Sequence, residues 1–211
     1  MCGRFTIFSN TSKLNSHFNL ASTAKFTHSY NVAPGSDIPV IRLSQNKREL
    51  VTCHWGLIPH WSKDTKLQPI NAKAETISEK PFFRSTFLKS RCLIPANGFY
   101  EWQGTTGHKQ PYYFKLKDSE LLAFAGLWDR WEQGGKTIES CTIITTEANI
   151  IMNPIHHRMP VILDPEKYDE WLIDGNKEIL IPYSGKMKCY PVSTAVNDPE
   201  NNSSSLIQPV D

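Results

Sequence analysis

Several features of membrane and secreted proteins are missing from this sequence of 211 residues. No apolar run approaches the roughly 18 residues that a membrane-spanning helix needs. The N-terminus lacks an apolar segment of the kind that forms the core of a secretory signal peptide. We therefore expect a soluble, cytoplasmic protein. Internal repeats and long linkers are missing too, which predicts a single domain and, by default, a monomer.

The sequence also has no large excess of positive or negative charge and no closely spaced cysteine pairs. The 23 basic and 21 acidic side chains leave a net charge of +2, which by itself does not indicate a nucleic-acid partner. The five cysteines never form a C-x-x-C pair, so a disulfide scaffold and a zinc site both fit poorly, and we expect no metal ion or other cofactor. Cys53, Cys92, Cys141 and Cys189 lie in apolar or strand-like runs and are interpreted as small buried hydrophobic residues.

The sequence is rich in short aromatic and β-branched runs, which are separated by turns and predict strands. The predicted strands cover residues 4–8, 38–43, 50–55, 92–95, 99–103, 111–117, 121–128, 138–146, 159–163 and 188–193. The predicted helices cover residues 11–18, a stretch from about 70 to 88 that starts or kinks at Pro81, residues 147–152, and a segment opened by Asp164 and Pro165. The expected fold class is α+β, with a mainly antiparallel sheet curled toward a barrel and short flanking helices.

Cys2 is the first candidate for chemistry. A small side chain at position 2 favours removal of Met1, which would leave a domain of residues 2–211 that begins at Cys2. A terminal cysteine carries an amine with a pKa of about 7.7–8.0 and a thiol with a pKa of about 8.5, so both are partly deprotonated near neutral pH. The amine can condense with an aldehyde to an imine, and the thiol can then close a thiazolidine ring. Taken alone, the residue is more easily explained as incidental.

Trp61 and Asn71 each have two interpretations. Trp61 ends an aromatic, proline-bearing loop and is either a stacking or wedging residue or a cover for the edge of the core. Asn71 either orients a substrate with its amide group or caps a helix.

Glu101 places a carboxylate in an otherwise aromatic predicted strand. Alternation puts it on the face of Phe99 and opposite Tyr100 and Trp102. Aromatic neighbours would raise its pKa, so that it could shuttle a proton near neutral pH. The alternative is an exposed glutamate on an edge strand.

His156 and His157 lie in a loop that leads into a predicted strand. Adjacent residues of an extended segment point opposite ways, so we expect one general acid or base and one bystander instead of a metal-binding pair.

Seven segments of the chain occur in the order found in the SOS response-associated peptidase family. They are MCGRF (1–5), YNVAP (30–34), WGLIP (55–59), NAKAET (71–76), GFYEW (98–102), IHHRMP (155–160) and PVS (191–193). The sequence resembles that family from residue 2 nearly to the C-terminus, and seven ordered segments are far more specific than one motif.

The resemblance implies a protein that protects single-stranded DNA at abasic sites and is associated with the nucleoid while it is bound to DNA. It implies that Met1 is removed, in part by a peptidase-like activity of the protein itself. The exposed cysteine would then form a Schiff base with the ring-opened sugar and close a thiazolidine crosslink. By motif position, Cys2 is the nucleophile and Asn71 holds its backbone and the sugar. Glu101 moves protons, and His156 assists Schiff-base formation and its reversal.

The resemblance also implies a set of DNA contacts. Residues expected to touch phosphates beside the lesion are Arg4, Lys73, Arg84 and Arg158, the segment around Arg84 being the poorest match, and Pro34 and Trp61 are expected to pack against bases at a kink in the strand. The family often has arginine where this chain has Lys73. Because lysine lacks the bidentate fork of arginine, phosphate binding there is expected to be weaker.

Two other functions stay open at this point. Class II glutamine amidotransferases and other N-terminal nucleophile hydrolases also begin with a processed Cys-Gly and use the terminal amine as a general base. No glutamine-recognition segment is found here, and glutamine hydrolysis would be the deciding test. A non-catalytic single-strand binding module, with Cys2 incidental, would leave DNA separable under denaturing conditions.

Overall fold

Fourteen strands and two α-helices form most of the structure, a computed structural model that describes residues 2–105 and 108–210. The strands are β1 Phe5–Ile7, β2 Ser22–Thr23, β3 Ser29–Val32, β4 Asp37–Ser44, β5 Lys47–Trp55, β6 Asn71–Lys73, β7 Arg91–Ala96, β8 Gly98–Thr105, β9 His108–Leu116, β10 Leu122–Gln133, β11 Lys136–Glu147, β12 Arg158–Pro160, β13 Ile162–Leu163 and β14 Met187–Pro191. The α-helices are α1 Thr11–Phe18 and α2 Pro81–Lys89. None of the helices in these ranges has the length and apolar character needed to cross a membrane.

The main sheet closes into a five-stranded barrel. Its strands follow the order β11, β10, β7, β4, β5, and the ring closes because β5 also pairs with β11. All pairings around the ring are antiparallel except this closing one, in which His54 lies beside Ser140 and Trp55 beside Cys141. The predicted α+β class with a curled, mainly antiparallel sheet is therefore confirmed.

A second sheet, in the order β14, β9, β8, β1, β3, packs against the barrel. Strand alternation divides its two faces between two hydrophobic cores. Phe99 stacks on Phe114, with ring centroids 5.0 Å apart, in the core shared with the barrel. Tyr100 belongs to a smaller core that the C-terminal segment covers with Val196 and Leu206. In the strand order of this sheet, β1, which follows the candidate nucleophile Cys2, is an interior strand between β8 and β3.

Local sequence signals explain several element boundaries. Helix α1 begins after Asn10, whose side chain accepts a hydrogen bond from the backbone N–H of Lys13. Strands β4 and β5 are joined by a two-residue turn at Gln45 and Asn46, which have φ values of 50° and 60°. Positive φ at both positions is the geometry of the tight hairpin turns that match the twist of paired strands.

Two predicted elements differ from the structure, and a third takes one of its two predicted forms. Residues 147–152 form no regular helix. Two turns, closed by the bonds from Asn153 N to Asn149 O and from His156 N to Met152 O, lie around Pro154, which lacks the N–H that would continue a helix. The helix predicted between about residues 70 and 88, with a start or a kink at Pro81, starts at Pro81. Asn71 belongs to strand β6, so its interpretation as a helix cap is wrong. The strand predicted over residues 159–163 is divided into β12 and β13.

The other helical segments are short turns. The segment after Asp164 is helical as predicted, but it consists of 3-10 and π-helical turns instead of an α-helix. The 3-10 turns are Ala74–Thr76, Pro165–Lys167, Lys177–Ile179, Thr194–Asn197 and Ser204–Ile207, and the π-helical turn is Glu170–Asp174. The predicted buried cysteines are confirmed for Cys53, Cys92 and Cys141, whereas Cys189 is half-buried.

Candidate active site and nucleic-acid interface

Cys2 lies at the start of the segment that becomes strand β1. The backbone N–H of Tyr100 donates to the carbonyl of Arg4 at 2.9 Å, which extends the pairing of β1 with β8 toward the N-terminus. The Cys2 side chain is fully buried. Asn71 Nδ2 donates to the Cys2 carbonyl oxygen at 2.9 Å. Met1, which is predicted to be removed, lies outside the described residues.

Asn71 is positioned by the barrel. Strand β6 adds in parallel to β11, with Asn71 beside Ile143 and Lys73 beside Thr145. The amide nitrogen of Asn71 is used by Cys2, while its Oδ1 is buried and has no hydrogen-bond partner among the described residues. One acceptor therefore remains beside Cys2 for a group that donates.

The Cys2 thiol is not partly ionised in this environment. Burial raises its pKa well above the usual value, and the negative charge of Glu101 raises it further. The expectation that the thiol needs no help to lose its proton near neutral pH is therefore wrong for this buried state. A reaction at the sulfur requires a neighbouring group that accepts the proton.

Glu101 is an acidic group whose charge acts on the Cys2 thiol. It lies on β8, which is flanked by β1 and β9, and is 5% exposed, so the alternative of an exposed edge-strand glutamate is wrong. Burial raises its pKa above the ordinary value, as predicted from its aromatic neighbours. The backbone N–H of Trp102 lies 3.4 Å from its Oε1. A carboxyl group with a raised pKa can both accept and return a proton near neutral pH.

The two histidines stack on each other. The ring centroids of His156 and His157 are 4.4 Å apart with an interplanar angle of 23°, so the prediction that they point opposite ways is wrong. The segment is a loop and not an extended strand, because β12 begins only at Arg158. His156 is half-buried and His157 is exposed.

His156 is held by the backbone that follows it. Its Nδ1 lies 2.9 Å from the backbone N–H of Arg158 and 3.1 Å from the carbonyl oxygen of the same residue. The two contacts require opposite roles of Nδ1, which accepts from the N–H only when it is unprotonated and donates to the carbonyl only when it carries a proton. Burial lowers the pKa of His156, which favours the neutral ring.

Sequence reasoning missed Gln103, which contacts the histidine loop, and Lys109, whose charge acts on both Glu101 and His156. Gln103 Nε2 donates to the carbonyl of Pro154 at 2.9 Å, which ties the end of β8 to that loop. The charge of Lys109 lowers the pKa of both Glu101 and His156, although burial has the larger effect on each. Neither residue lies in a segment that carried the family resemblance, so no sequence signal identified them.

Arg158 is largely occupied by protein partners. It is 8% exposed and donates to both carboxylate oxygens of Glu75, at 2.6 and 2.9 Å. It also donates to the carbonyl of Thr145 at 2.6 Å. Glu75, another residue that sequence reasoning missed, lies in the NAKAET segment. Contact of Arg158 with a phosphate stays a prediction, and it would require the guanidinium to exchange or share these partners.

Arg4 is also held inside the protein. Its Nη1 donates to Asn31 Oδ1 at 2.7 Å and to the carbonyl of Val196 at 2.8 Å, and its guanidinium lies 5.9 Å from the centroid of the Trp102 ring. Burial lowers the pKa of this guanidinium, although a guanidinium stays protonated near neutral pH.

The other residues predicted to bind DNA are exposed. Pro34, Lys73 and Arg84 lie at the surface, and Trp61 is 51% exposed. The Trp61 ring contacts Phe82 of helix α2 edge-on, with centroids 5.8 Å apart. An indole half open to solvent is available for stacking. Among residues 2–105 and 108–210, no group of three or more His, Cys, Asp or Glu side chains is arranged to hold a metal ion.

Comparison with known proteins identifies the family of this chain. The family model described as SOS response associated peptidase (SRAP) matches residues 1–199. The chain is 45% identical to the abasic site processing protein YoqW of Bacillus subtilis (strain 168), with 99% of each chain covered. It is 35% identical to the abasic site processing protein HMCES of Xenopus tropicalis, over 84% of this chain and 65% of that protein. A crystal structure of a protein from Bacteroides thetaiotaomicron superposes with a TM-score of 0.88 at 29% identity and covers 99% of this chain and 100% of that one. The chain belongs to the SOS response associated peptidase (SRAP) family.

Proposed function

We propose that this protein processes abasic sites in DNA by forming a covalent crosslink through Cys2. The observation that carries the proposal is the cluster of buried Cys2, buried Glu101 and half-buried Asn71, in which Asn71 binds the Cys2 carbonyl and the charge of Glu101 acts on the Cys2 thiol. The names of the relatives YoqW and HMCES, both abasic site processing proteins, support abasic DNA as the substrate.

The proposed reaction needs a free α-amine on Cys2. We propose that hydrolysis of the Met1–Cys2 peptide bond supplies it, with the same buried cluster assisting. The amine then adds to the aldehyde carbon of the ring-opened sugar and loses one water molecule to form an imine. Addition of the Cys2 sulfur to the imine carbon closes a thiazolidine ring, while the thiol proton ends on the nitrogen. The net change is the loss of one water molecule, and no oxidant or metal ion is required.

Glu101 is the proposed proton carrier for these steps. Because burial keeps the Cys2 thiol protonated, the sulfur must give up its proton as it attacks. The raised pKa of Glu101 suits a group that takes a proton in one step and returns it in the next. His156, whose pKa is lowered by burial, is proposed to assist imine formation and its reversal by hydrogen bonding to the sugar oxygen.

Asn71 is proposed to align the nucleophile. Its Nδ2 fixes the Cys2 carbonyl, and its unpartnered Oδ1 can accept a hydrogen bond from a sugar hydroxyl. A base-free sugar is small enough to enter such a site, because it has no base to unstack.

The exposed residues are proposed to hold the flanking single strand. Trp61 and Pro34 would pack against bases, while Lys73 and Arg84 would neutralise phosphates. Arg4 and Arg158 make protein contacts in this structure. Each would therefore have to bind a phosphate with N–H groups that its protein partners do not use, or exchange those partners for the phosphate. The monomeric state and the cytoplasmic, DNA-associated location stay predictions.

Intact-mass spectrometry tests the proposal. The purified protein is weighed before and after incubation with a single-stranded oligonucleotide that carries one abasic site. The expected result is loss of Met1 and a gain equal to the oligonucleotide mass minus one water molecule, and the Cys2→Ala variant should show no adduct while it still binds reversibly. Capture by that variant would mean that another nucleophile reacts. If Met1 is lost and no adduct forms, glutamine hydrolysis becomes the next reaction to test.

A further inference from the structure

The loop that carries Trp61 is anchored to the barrel on both sides of the indole. Before it, the backbone N–H of Ile58 donates to Ser140 Oγ at 2.8 Å. After it, the carbonyl of Ser62 accepts a hydrogen bond from Trp131 Nε1 at 2.8 Å. An exposed tryptophan on an otherwise free loop would sample many orientations, whereas these contacts confine the backbone on either side of Trp61.

The central anchor of this loop is Asp129 on strand β10. Asp129 lies opposite Ser140 in the register of β10 and β11, so both side chains are on the face of the sheet that meets the loop. Its Oδ2 accepts the backbone N–H of His60 at 3.0 Å and lies 2.9 Å from His60 Nδ1. Because a carboxylate accepts hydrogen bonds, His60 carries a proton at Nδ1 in this arrangement. One buried oxygen thus holds both the backbone and the ring of the residue directly before Trp61.

Asp129 also contacts the helix on the other side of the indole. Thr86 Oγ1 lies 3.4 Å from Asp129 Oδ2 and is four residues after Phe82, which places the two side chains on one face of helix α2. Phe82 is the residue that the Trp61 ring contacts edge-on. The same carboxylate therefore contacts both the loop that presents the indole and the helix against which the indole rests.

We propose that Asp129 is a positioning residue for DNA binding, which acts by holding Trp61 in its stacking orientation through His60 and helix α2. The inference rests on the proposed function, in which Trp61 packs against a base. Preorganisation of an exposed aromatic side chain strengthens binding because less conformational freedom is lost when the partner arrives. No residue of this network touches the Cys2 cluster in the described contacts, so its effect should appear in DNA affinity and not in the crosslinking chemistry.

A double-mutant cycle tests this positioning role. Affinity for an unmodified single-stranded oligonucleotide is measured in a Cys2→Ala background, so that only reversible binding is observed. Trp61→Ala is expected to weaken binding about tenfold, the effect of losing one base stack. Asp129→Asn keeps the size of the side chain but replaces an accepting oxygen by a donating amide, and it should weaken binding several-fold. The double variant should bind no more weakly than Trp61→Ala alone, because Asp129 acts through Trp61.

Glu139→Gln is the matched control for general destabilisation. Glu139 is a partly buried carboxylate on neighbouring β11 that binds Arg42 at 2.9 Å on the opposite face of the sheet. The Glu139→Gln variant should have a lower melting temperature than the parent protein but the same affinity for DNA. If Asp129→Asn does not fold, the same double-mutant cycle is run with His60→Ala in its place and tests the same coupling to Trp61. That variant removes the contact between the His60 ring and Asp129 and keeps the carboxylate.

Two results would overturn the inference. Additive losses from Asp129→Asn and Trp61→Ala, or no loss from Asp129→Asn, would show that Asp129 does not act through the indole while leaving the proposed crosslinking intact. If the parent protein bound no single-stranded DNA at all, both the positioning role and the DNA-processing function would fall.

Discussion

The ion pair of Glu75 and Arg158 gives the sharpest test of how the histidine loop is held. Glu75 follows strand β6, which begins with Asn71, and Arg158 begins β12, directly after the histidines. The bidentate contact therefore joins the Asn71 side of the site to the His156 side. Glu75→Gln keeps the shape of the side chain, but it removes the negative charge and turns an NH₂ group toward the guanidinium.

The expected loss of stability follows from the burial of the two partners. Removing one member of a fully buried pair costs about 3–5 kcal/mol, because the remaining charge is left uncompensated. The Glu75 side chain is 43% exposed, so water can partly replace it, and the lower value for a charged hydrogen bond, about 1.5–3 kcal/mol, is more appropriate. For a chain of 211 residues this corresponds to a fall in melting temperature of about 3–12 °C.

The pH dependence of this loss has a definite sign. Hydrogen bonds from Arg158 lower the pKa of Glu75 below its ordinary value. A carboxyl group whose pKa is lowered by folding contributes stability above its unfolded pKa, and that contribution is lost as the pH falls through the folded value. The difference between the wild type and Glu75→Gln should therefore be complete at pH 7 and should shrink as the pH falls below about 4.

Thermal unfolding of the wild type and Glu75→Gln at pH 7 and at pH 3.5 measures both the loss of stability and its dependence on pH. The matched control is Glu120→Gln, which breaks the pair of Glu120 with Lys13 at the surface, where both side chains are more than half exposed. That control should melt within experimental error of the wild type. An unchanged melting temperature for Glu75→Gln at pH 7, or an equal loss at both pH values, would refute the reasoning.

Two further variants probe the chemistry. Asn71→Ala should slow single-turnover crosslinking about five- to tenfold, since it removes one hydrogen bond to the Cys2 carbonyl, and an unchanged rate would remove Asn71 from the alignment of the nucleophile. Glu101→Gln should slow crosslinking about a hundredfold or more while reversible binding changes little, because the proton carrier is lost. Burial raises the folded pKa of Glu101, so its ionised form opposes folding above the ordinary pKa. Glu101→Gln should therefore melt higher than the wild type at pH 7 and at a similar temperature at pH 4; a lower melting temperature at pH 7 would contradict the burial argument.

Local patterns predicted most of the fold. Strands in β7 to β11 were identified because each aromatic or β-branched run is bounded by turn residues, and α1 was identified from its Asn10 cap. The parallel pairing of β5 with β11 was not predicted, since it joins segments about 85 residues apart and neither carries a sign of the other. The helix expected at residues 147–152 is replaced by separate turns, because Pro154 lacks the N–H that would continue a helix.

The candidate site was predicted less completely than the fold. The raised pKa of Glu101 was predicted from its aromatic neighbours in the sequence, because strand alternation is a local property, although its burial depends on the strands that flank β8. Contacts made over long sequence separations were not predictable in the same way. Glu75 with Arg158 and His60 with Asp129 depend on which strands become neighbours in the barrel, and that is decided by tertiary packing.

The interior position of β1 has a consequence for the order in which the protein is made. The first residues to be synthesised cannot reach their final place until β3 and then β8 exist to flank them, and Arg4 must wait for the carbonyl of Val196 near the other end of the chain. The segment that carries Cys2, the proposed nucleophile, is therefore fixed in place only after β8 and Val196 have been made. Before β8 is made, the sheet that holds β1 cannot form around it.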